Sequence, residues 1–266
     1  MSARAICPSL VAAVFLAAAT GLPAQSPRLA AVRDGQVRFT FTLRPGVCGQ
    51  GQNIWRTGRV GRDGVRLDNK ASRDVEYDVE CDTGPGRVVI DKVDGRVDDL
   101  RFYVGGRWRS GAAATDLGQL SVRQAADLLL DIARTGEGKA SEHAIFPATL
   151  IDSVEVWREL IRLARDESRP RRARTQAVFW LGQAAEAPAT QGLKDLVGEA
   201  AIDREVREQA VFALSQRPRD EAIPALVNIV RTSKDPELRK KALFWLGQSG
   251  DKRAIDLIEE LLTRAK

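Results

Sequence analysis

The chain has 266 residues, of which 44% are hydrophobic and 29% charged, with a formal net charge of +5. That is room for two domains and too apolar a composition for a disordered chain. The positive surplus lies before residue 116, while residues 116–266 hold equal numbers of acids and bases, which excludes the one-signed basic face of a nucleic-acid-binding half.

The first residues read as a targeting segment. Arg4 supplies a positive charge, Ala5 to Ala19 contains none, and Gly21-Leu22-Pro23-Ala24 adds a helix break and small residues. That order predicts a signal peptide over 1–24, cleaved near Ala24 with loss of Cys7, and a periplasmic or secreted protein. A retained membrane anchor is the alternative, but the apolar run is shorter than the ~20 residues a spanning helix needs. Cys48 and Cys81 then remain, and an even count in an exported chain favours a disulfide over two free thiols. The bridge would close a loop of about 34 residues and stabilise by roughly 3–4 kcal/mol in the chain-entropy treatment. No CxxC spacing accompanies the pair and the single histidine, His143, is distant, so neither a metal site nor a cofactor is expected.

Residues 30–110 predict a small antiparallel β domain of four or five strands. Val37 to Leu43 alternates apolar and polar residues, and so does the stretch from Val75 to Cys81 through Tyr77 and Val79. Val88-Val89-Ile90 follows a Gly84-Pro85-Gly86 turn, Asp94-Gly95 signals a hairpin, and Phe102, Val104 and Trp108 close the segment. Pro45 to Ile54 is glycine-rich but lacks the Lys-Ser/Thr of a phosphate loop, so a structural loop anchored by Cys48 is expected. Arg56, Arg59, Arg62 and Arg66 form a basic run suited to a solvated loop or, less simply, to an acidic partner. Small and polar residues over 109–116 mark the expected domain boundary.

From 116 onward the pattern is helical. Ser121 is the expected N-cap of an amphipathic helix through Ala125–Ala133 that would cap a stack. Ala177-Val178-Phe179-Trp180-Leu181-Gly182-Gln183 then recurs as Ala210 to Gln216 and as Ala242 to Gln248, at spacings of 33 and 32, each copy preceded by an arginine: Arg174, Arg207 and Arg239. An eroded copy runs from Ala144 to Leu150. A fixed period in this range predicts stacked helical pairs, since one amphipathic helix cannot hide its apolar stripe alone. Asp203 and Asp235 are the expected starts of the second helices, the latter followed by Pro236.

Within the unit, Ala210, Val211 and Leu214 and their equivalents, including Leu181 and Leu246, form the expected buried stripe. Phe179, Phe212 and Phe244 are expected to join that core as a column between repeats, and Phe212→Ala to cost about 3–5 kcal/mol by opening a cavity. Trp180 and Trp245 fit a core or groove wall. Arg174, Arg207 and Arg239 fit a structural ladder with Asp203 and Asp235, or alternatively a ligand-binding row. Gln183, Gln216 and Gln248 are expected to satisfy loop backbone groups. The candidate binding surface is Trp180, Trp245, Arg171, Arg172, Arg174, Arg207 and Arg239.

At these residues the chain resembles the HEAT-repeat family, particularly the bacterial HEAT-like repeats also found in phycobilin lyases. The pattern D-x-E-[VL]-R-x-x-A-[VL]-F-x-L-x-Q runs over Asp203–Gln216 and Asp235–Gln248, and Arg169-Pro170-Arg171-Arg172 replaces its acidic start in the earlier copy. The resemblance implies an all-α HEAT-like domain over 116–266 behind the β domain, and a scaffold that binds a protein or peptide. A self-associating envelope component and a bilin-lyase-like enzyme are the alternatives. Catalysis is not expected, because His143 stands without a nucleophile motif and no nucleotide fingerprint or GxSxG elbow is present.

Overall fold

The computed structural model describes residues 27–56, 82–184 and 186–264. The predicted signal segment 1–24 with Cys7, the strand expected to end at Cys81, and Arg59, Arg62 and Arg66 lie outside the described residues.

A short helix α1 (Pro27–Ala31) precedes a four-stranded sheet in the order β5-β4-β1-β6, formed by β1 (Gly35–Phe41), β4 (Gly86–Val93), β5 (Arg96–Val104) and β6 (Ala114–Gln119). The alternation read in β1 has its physical cause in one-sided burial. Val37, Phe39 and Phe41 are fully buried, as are Val88 and Ile90 of β4, while the residues between them face outward. Asp94 and Gly95 both take positive φ, 50° and 77°, and turn β4 back on β5 in the predicted hairpin. Gly86 is required where it stands, since a Cβ there would lie 2.7 Å from the Phe41 ring. The buried Lys92 ammonium donates to the Leu29 carbonyl at 2.8 Å and ties α1 to the sheet, and burial lowers its pKa despite the nearby Asp34.

Two expectations are corrected here. The sheet is mixed, because β6 runs parallel to β1, and it extends past residue 110 through the stretch expected to be a linker. The glycine-rich segment is also no loop. It forms the hairpin β2 (Val47–Gln50) and β3 (Asn53–Arg56), turning at Gly51 (φ 67°) and held to β5 by paired backbone bonds of 2.9 Å between Gly51 and Val104.

The helices that follow are α2 (Val122–Thr135), α3 (Gly138–Thr149), α4 (Trp157–Arg165), α5 (Arg171–Gly182), α6 (Pro188–Gly198), α7 (Arg204–Ser215), α8 (Arg219–Thr232), α9 (Pro236–Ser249) and α10 (Lys252–Arg264). Ser121 caps α2 in a reciprocal capping box with Gln124. The helices pair as hairpins α2/α3, α4/α5, α6/α7 and α8/α9, and the second helices α3, α5, α7 and α9 pack side by side in one layer. That inner layer is the tighter one. A Cβ at Gly182 of α5 would lie 2.9 Å from the Ala213 Cβ of α7, so glycine sets how closely the two approach.

Sheet and stack share an apolar core. The Arg44 amide donates to the Leu150 carbonyl at 2.9 Å, the Asp152 amide donates to the Thr42 carbonyl at 3.2 Å, and the Arg44 guanidinium reaches the Ile151 and Val154 carbonyls. Phe102 of β5 meets Phe146 of α3 edge to face, with centroids 5.9 Å apart.

Candidate protein-binding face

The face is built from the recurring heptapeptide. Ala177, Val178 and Leu181, Ala210, Val211 and Leu214, and Ala242 and Leu246 are buried, which places the Ala-Val-Leu stripe in the core. The phenylalanines are not in that core. Phe179 and Phe212 are half-buried and Phe244 is 55% exposed. Helical geometry explains the correction: two residues beyond the alanine is about 200° round the helix, so the ring leaves from the side opposite the core stripe.

The rings nevertheless stay together. Phe146 stacks on Trp180 with centroids 4.5 Å apart, and Phe179 stacks on Phe212 at 6.3 Å with planes 12° apart. Trp180 sits edge-on to Phe179 at 5.0 Å, and Trp245 lies 5.1 Å from Phe212 and 4.9 Å from Phe244. An aromatic stripe therefore crosses α3, α5, α7 and α9 at the surface, and the half-buried Trp180 and Trp245 are part of it. Beside Trp245 opens a cleft of about 290 Å³ lined in part by Gln216, Leu226 and Gln248.

The arginines divide. Arg174 is buried and pairs with Asp203 of the next repeat, and Arg207 lies 3.6 Å from Asp235 and donates to the Val197 carbonyl at 3.0 Å. These two are rungs of an inter-repeat ladder, which removes them from the candidate binding surface. Arg239 is exposed and donates to the Ser233 carbonyl at 2.8 Å. Arg171 bridges to Glu205 at 2.8 Å, and Arg172 is exposed with no ion pair among the described residues. The expected capping role holds for Asp235, whose carboxylate accepts from the Glu237 and Leu238 amides; at Asp203 the carboxylate goes to Arg174 instead. Gln183 and Gln216 close their helices through backbone amides, and the Gln216 side chain donates to Ser215 Oγ rather than to a loop.

Sequence reasoning missed Arg217. Its buried guanidinium gathers the Ala184 and Glu186 carbonyls, Thr190 Oγ and the Glu221 carboxylate, pinning the turn before α8 to the turn one repeat back. Arg169 and Arg253 reach back in the same way, to the Arg134 and Arg219 carbonyls. The signal lay in these spacings of 33 to 35 residues between donor and acceptor, which no single motif displays. His143 also has a structural place. Its Nδ1 lies 2.7 Å from Asp99 Oδ1, joining α3 to β5. Partial burial raises the Asp99 pKa, but the Leu100 amide, the His143 ring and the Lys139 charge outweigh it and hold the carboxyl below its ordinary value. Cys48 is buried on β2. Among the described residues no group of three or more His, Cys, Asp and Glu side chains could hold a metal, and no helix is long and apolar enough to cross a membrane.

Hairpins stacked at a fixed period and laddered by arginine–aspartate pairs define a helical-repeat solenoid. Residues 199–266 match the family model for HEAT repeats, so the C-terminal part of the chain is similar to that family, whose repeats commonly serve as protein-interaction scaffolds. No curated protein matches the chain.

Proposed function

We propose that the chain is an exported, non-catalytic scaffold that binds a protein or peptide across the inner layer of its helical repeats. The aromatic stripe from Phe146 to Phe244 carries this reading. A row of partly exposed rings on a rigid helical layer is the kind of surface from which interface anchors are drawn, since rings bury large area at little entropic cost. Arg172 and Arg171 at the edge of the stripe supply polar rim contacts, and the ladder beneath keeps the rings in register. The sheet and a Cys48–Cys81 bridge, in an oxidising compartment after loss of residues 1–24, hold the first hairpin in place. The backbone bond from the Gly49 amide to the Asp82 carbonyl, 3.0 Å, brings the neighbours of the two cysteines together and supports that pairing.

The test is site-specific photo-crosslinking in intact cells from Gln176 and Gln209, at the edge of the stripe, with Arg158 on the outer layer as control. A single stoichiometric protein captured from the first two positions and not the third is expected. Equal capture from all three, or capture of this chain alone, would sink the proposal. The mass of the recovered protein reads out cleavage near Ala24, and a thiol count before and after reduction reads out the bridge.

A further inference from the structure

Two junctions of the stack use equivalent positions, that of α4/α5 with α6/α7 and that of α6/α7 with α8/α9. Leu160, Leu163 and Ala164 of α4, Leu193, Leu196 and Val197 of α6, and Leu226, Ile229 and Val230 of α8 are all buried and recur at a spacing of 33. In the first junction the groove between the outer helices is closed. Ile161 lies over Gly192 so tightly that a Cβ there would strike its Cδ1, and Arg165 bridges to Glu199 across the groove. Arg171 pairs with Glu205 and Arg174 with Asp203, so three arginines meet three acids.

The plug and two of the three bridges are missing at the second junction. Lys194 stands where Ile161 does, Gly198 where Arg165 does and Thr232 where Glu199 does, each 33 residues on. In the turn, Lys234 takes the place of the buried Ile202, directly before the aspartate in both copies. A cleft of about 580 Å³ opens here, with Lys194, Arg204, Arg207, Lys234 and Asp235 in its lining. Four cations therefore face one carboxylate, and that carboxylate is already engaged. One of its oxygens caps α9, accepting from the Glu237 and Leu238 amides. The other is shared by Arg207 at 3.6 Å and Arg204 at 3.8 Å. Lys194 and Lys234 are exposed and make no ion pair among the described residues, and neither does Glu237, which stands where Glu205 does.

We propose that this cleft binds a compact small-molecule anion carrying two or more negative charges, held by Lys194, Arg204, Arg207 and Lys234. A recess lined by one sign of charge and walled by apolar groups concentrates its field on whatever enters. Here the buried Val197, Ala225 and Ile229 supply the apolar wall. The two arginines offer forked donors suited to phosphate and carboxylate oxygens alike, and the lysines add point charges from α6 and from the turn before α9. The volume suits a small molecule and not a folded partner. The inference uses no residue of the aromatic stripe and does not depend on the stripe binding anything.

The probes are sodium pyrophosphate and sodium citrate, titrated calorimetrically into the full chain at matched ionic strength with sodium chloride as blank. Saturable one-to-one binding of at least one is expected, and the tighter of the two tells whether the site prefers phosphate or carboxylate oxygens. Lys194→Gln and Lys234→Gln should each weaken it about tenfold. Lys240→Gln, at an exposed lysine outside the cleft, should leave it unchanged. Thr232→Glu restores the acid that Glu199 supplies one repeat back and should abolish binding. All four positions are exposed, so the variants should keep the fold, which a circular dichroism melt verifies. As a second readout, the bound anion should slow amide exchange at the end of α8 and in the turn to α9, in the natural chain and not in Thr232→Glu. No saturable heat with either anion overturns the proposal. So does binding that survives either the double lysine substitution or Thr232→Glu, and so does an equal loss with Lys240→Gln, since the anion would then sit on surface charge elsewhere. If these arms fail while Gln176 still crosslinks one partner, the cleft is refuted and the scaffold reading stands.

Discussion

In the sheet, the contacts that fix the fold are each used once, whereas in the stack a few contacts recur. Arg44 reaching the Ile151 and Val154 carbonyls, Lys92 on the Leu29 carbonyl and Gly51 paired with Val104 have no counterparts elsewhere in the described residues. Between α5, α7 and α9 the arginine–aspartate rung and the buried alanine and leucine of the recurring stripe return with the period. Damage to the sheet is therefore not shared out, while damage to the stack should scale with how many neighbours a repeat has. Phe39→Ala is the severest test. Its side chain is fully buried against Phe41, and truncation should cost about 3–5 kcal/mol in chemical denaturation. If the helical signal then melted in a separate transition unmoved by the substitution, the shared core would be refuted.

The stack side is probed by the same change at three equivalent places. Leu181→Ala and Leu214→Ala should each cost about 2–4 kcal/mol, and Leu246→Ala less, because α9 is the last helix of the inner layer among the described residues and is flanked in that layer by α7 alone. Equal losses at all three would show that the end repeat is as well supported as the interior ones. The ladder sharpens the point. Arg174→Ala removes a buried rung and should cost about 1–3 kcal/mol, while Arg239→Ala, exposed and bonded within its own repeat, should stay within about 0.5 kcal/mol.

What could be read in advance follows the same division. The period, the Ala-Val-Leu stripe, the strands at Val37 and Val88 and the Asp94-Gly95 turn are local or recurring signals, and the sequence displays them directly. β6 escaped because Ala114-Thr115-Asp116-Leu117-Gly118-Gln119 is mostly polar, and its place beside β1 depends on parallel pairing across a distant stretch of chain. The β2/β3 hairpin escaped because its glycines mask the alternation. The recurrence of the phenylalanines is legible but the side they take is not, since recurrence says that positions are equivalent and only the helical angle says which way they face. Facing outward lowers the expected cost of Phe212→Ala to about 1–2 kcal/mol for a half-buried ring, and moves its main effect to partner capture at Gln209.

The smallest effect tests the seam between the two regions. His143→Ala removes the ring that accompanies Asp99 across α3 and β5, both side chains being partly exposed, so the loss should stay under about 1 kcal/mol. Its pH dependence carries the information. Asp99 has a folded pKa below its ordinary value, so the stabilisation it brings is present above the unfolded carboxylate value near ~3.9 and fades as pH falls through the folded value. Part of that depression comes from His143. The stability gap between the natural chain and His143→Ala should therefore be open at about pH 5 and close as the solution is acidified below ~4. A gap that widened on acidification would mean that His143 acts on the seam through packing and not through the Asp99 carboxylate.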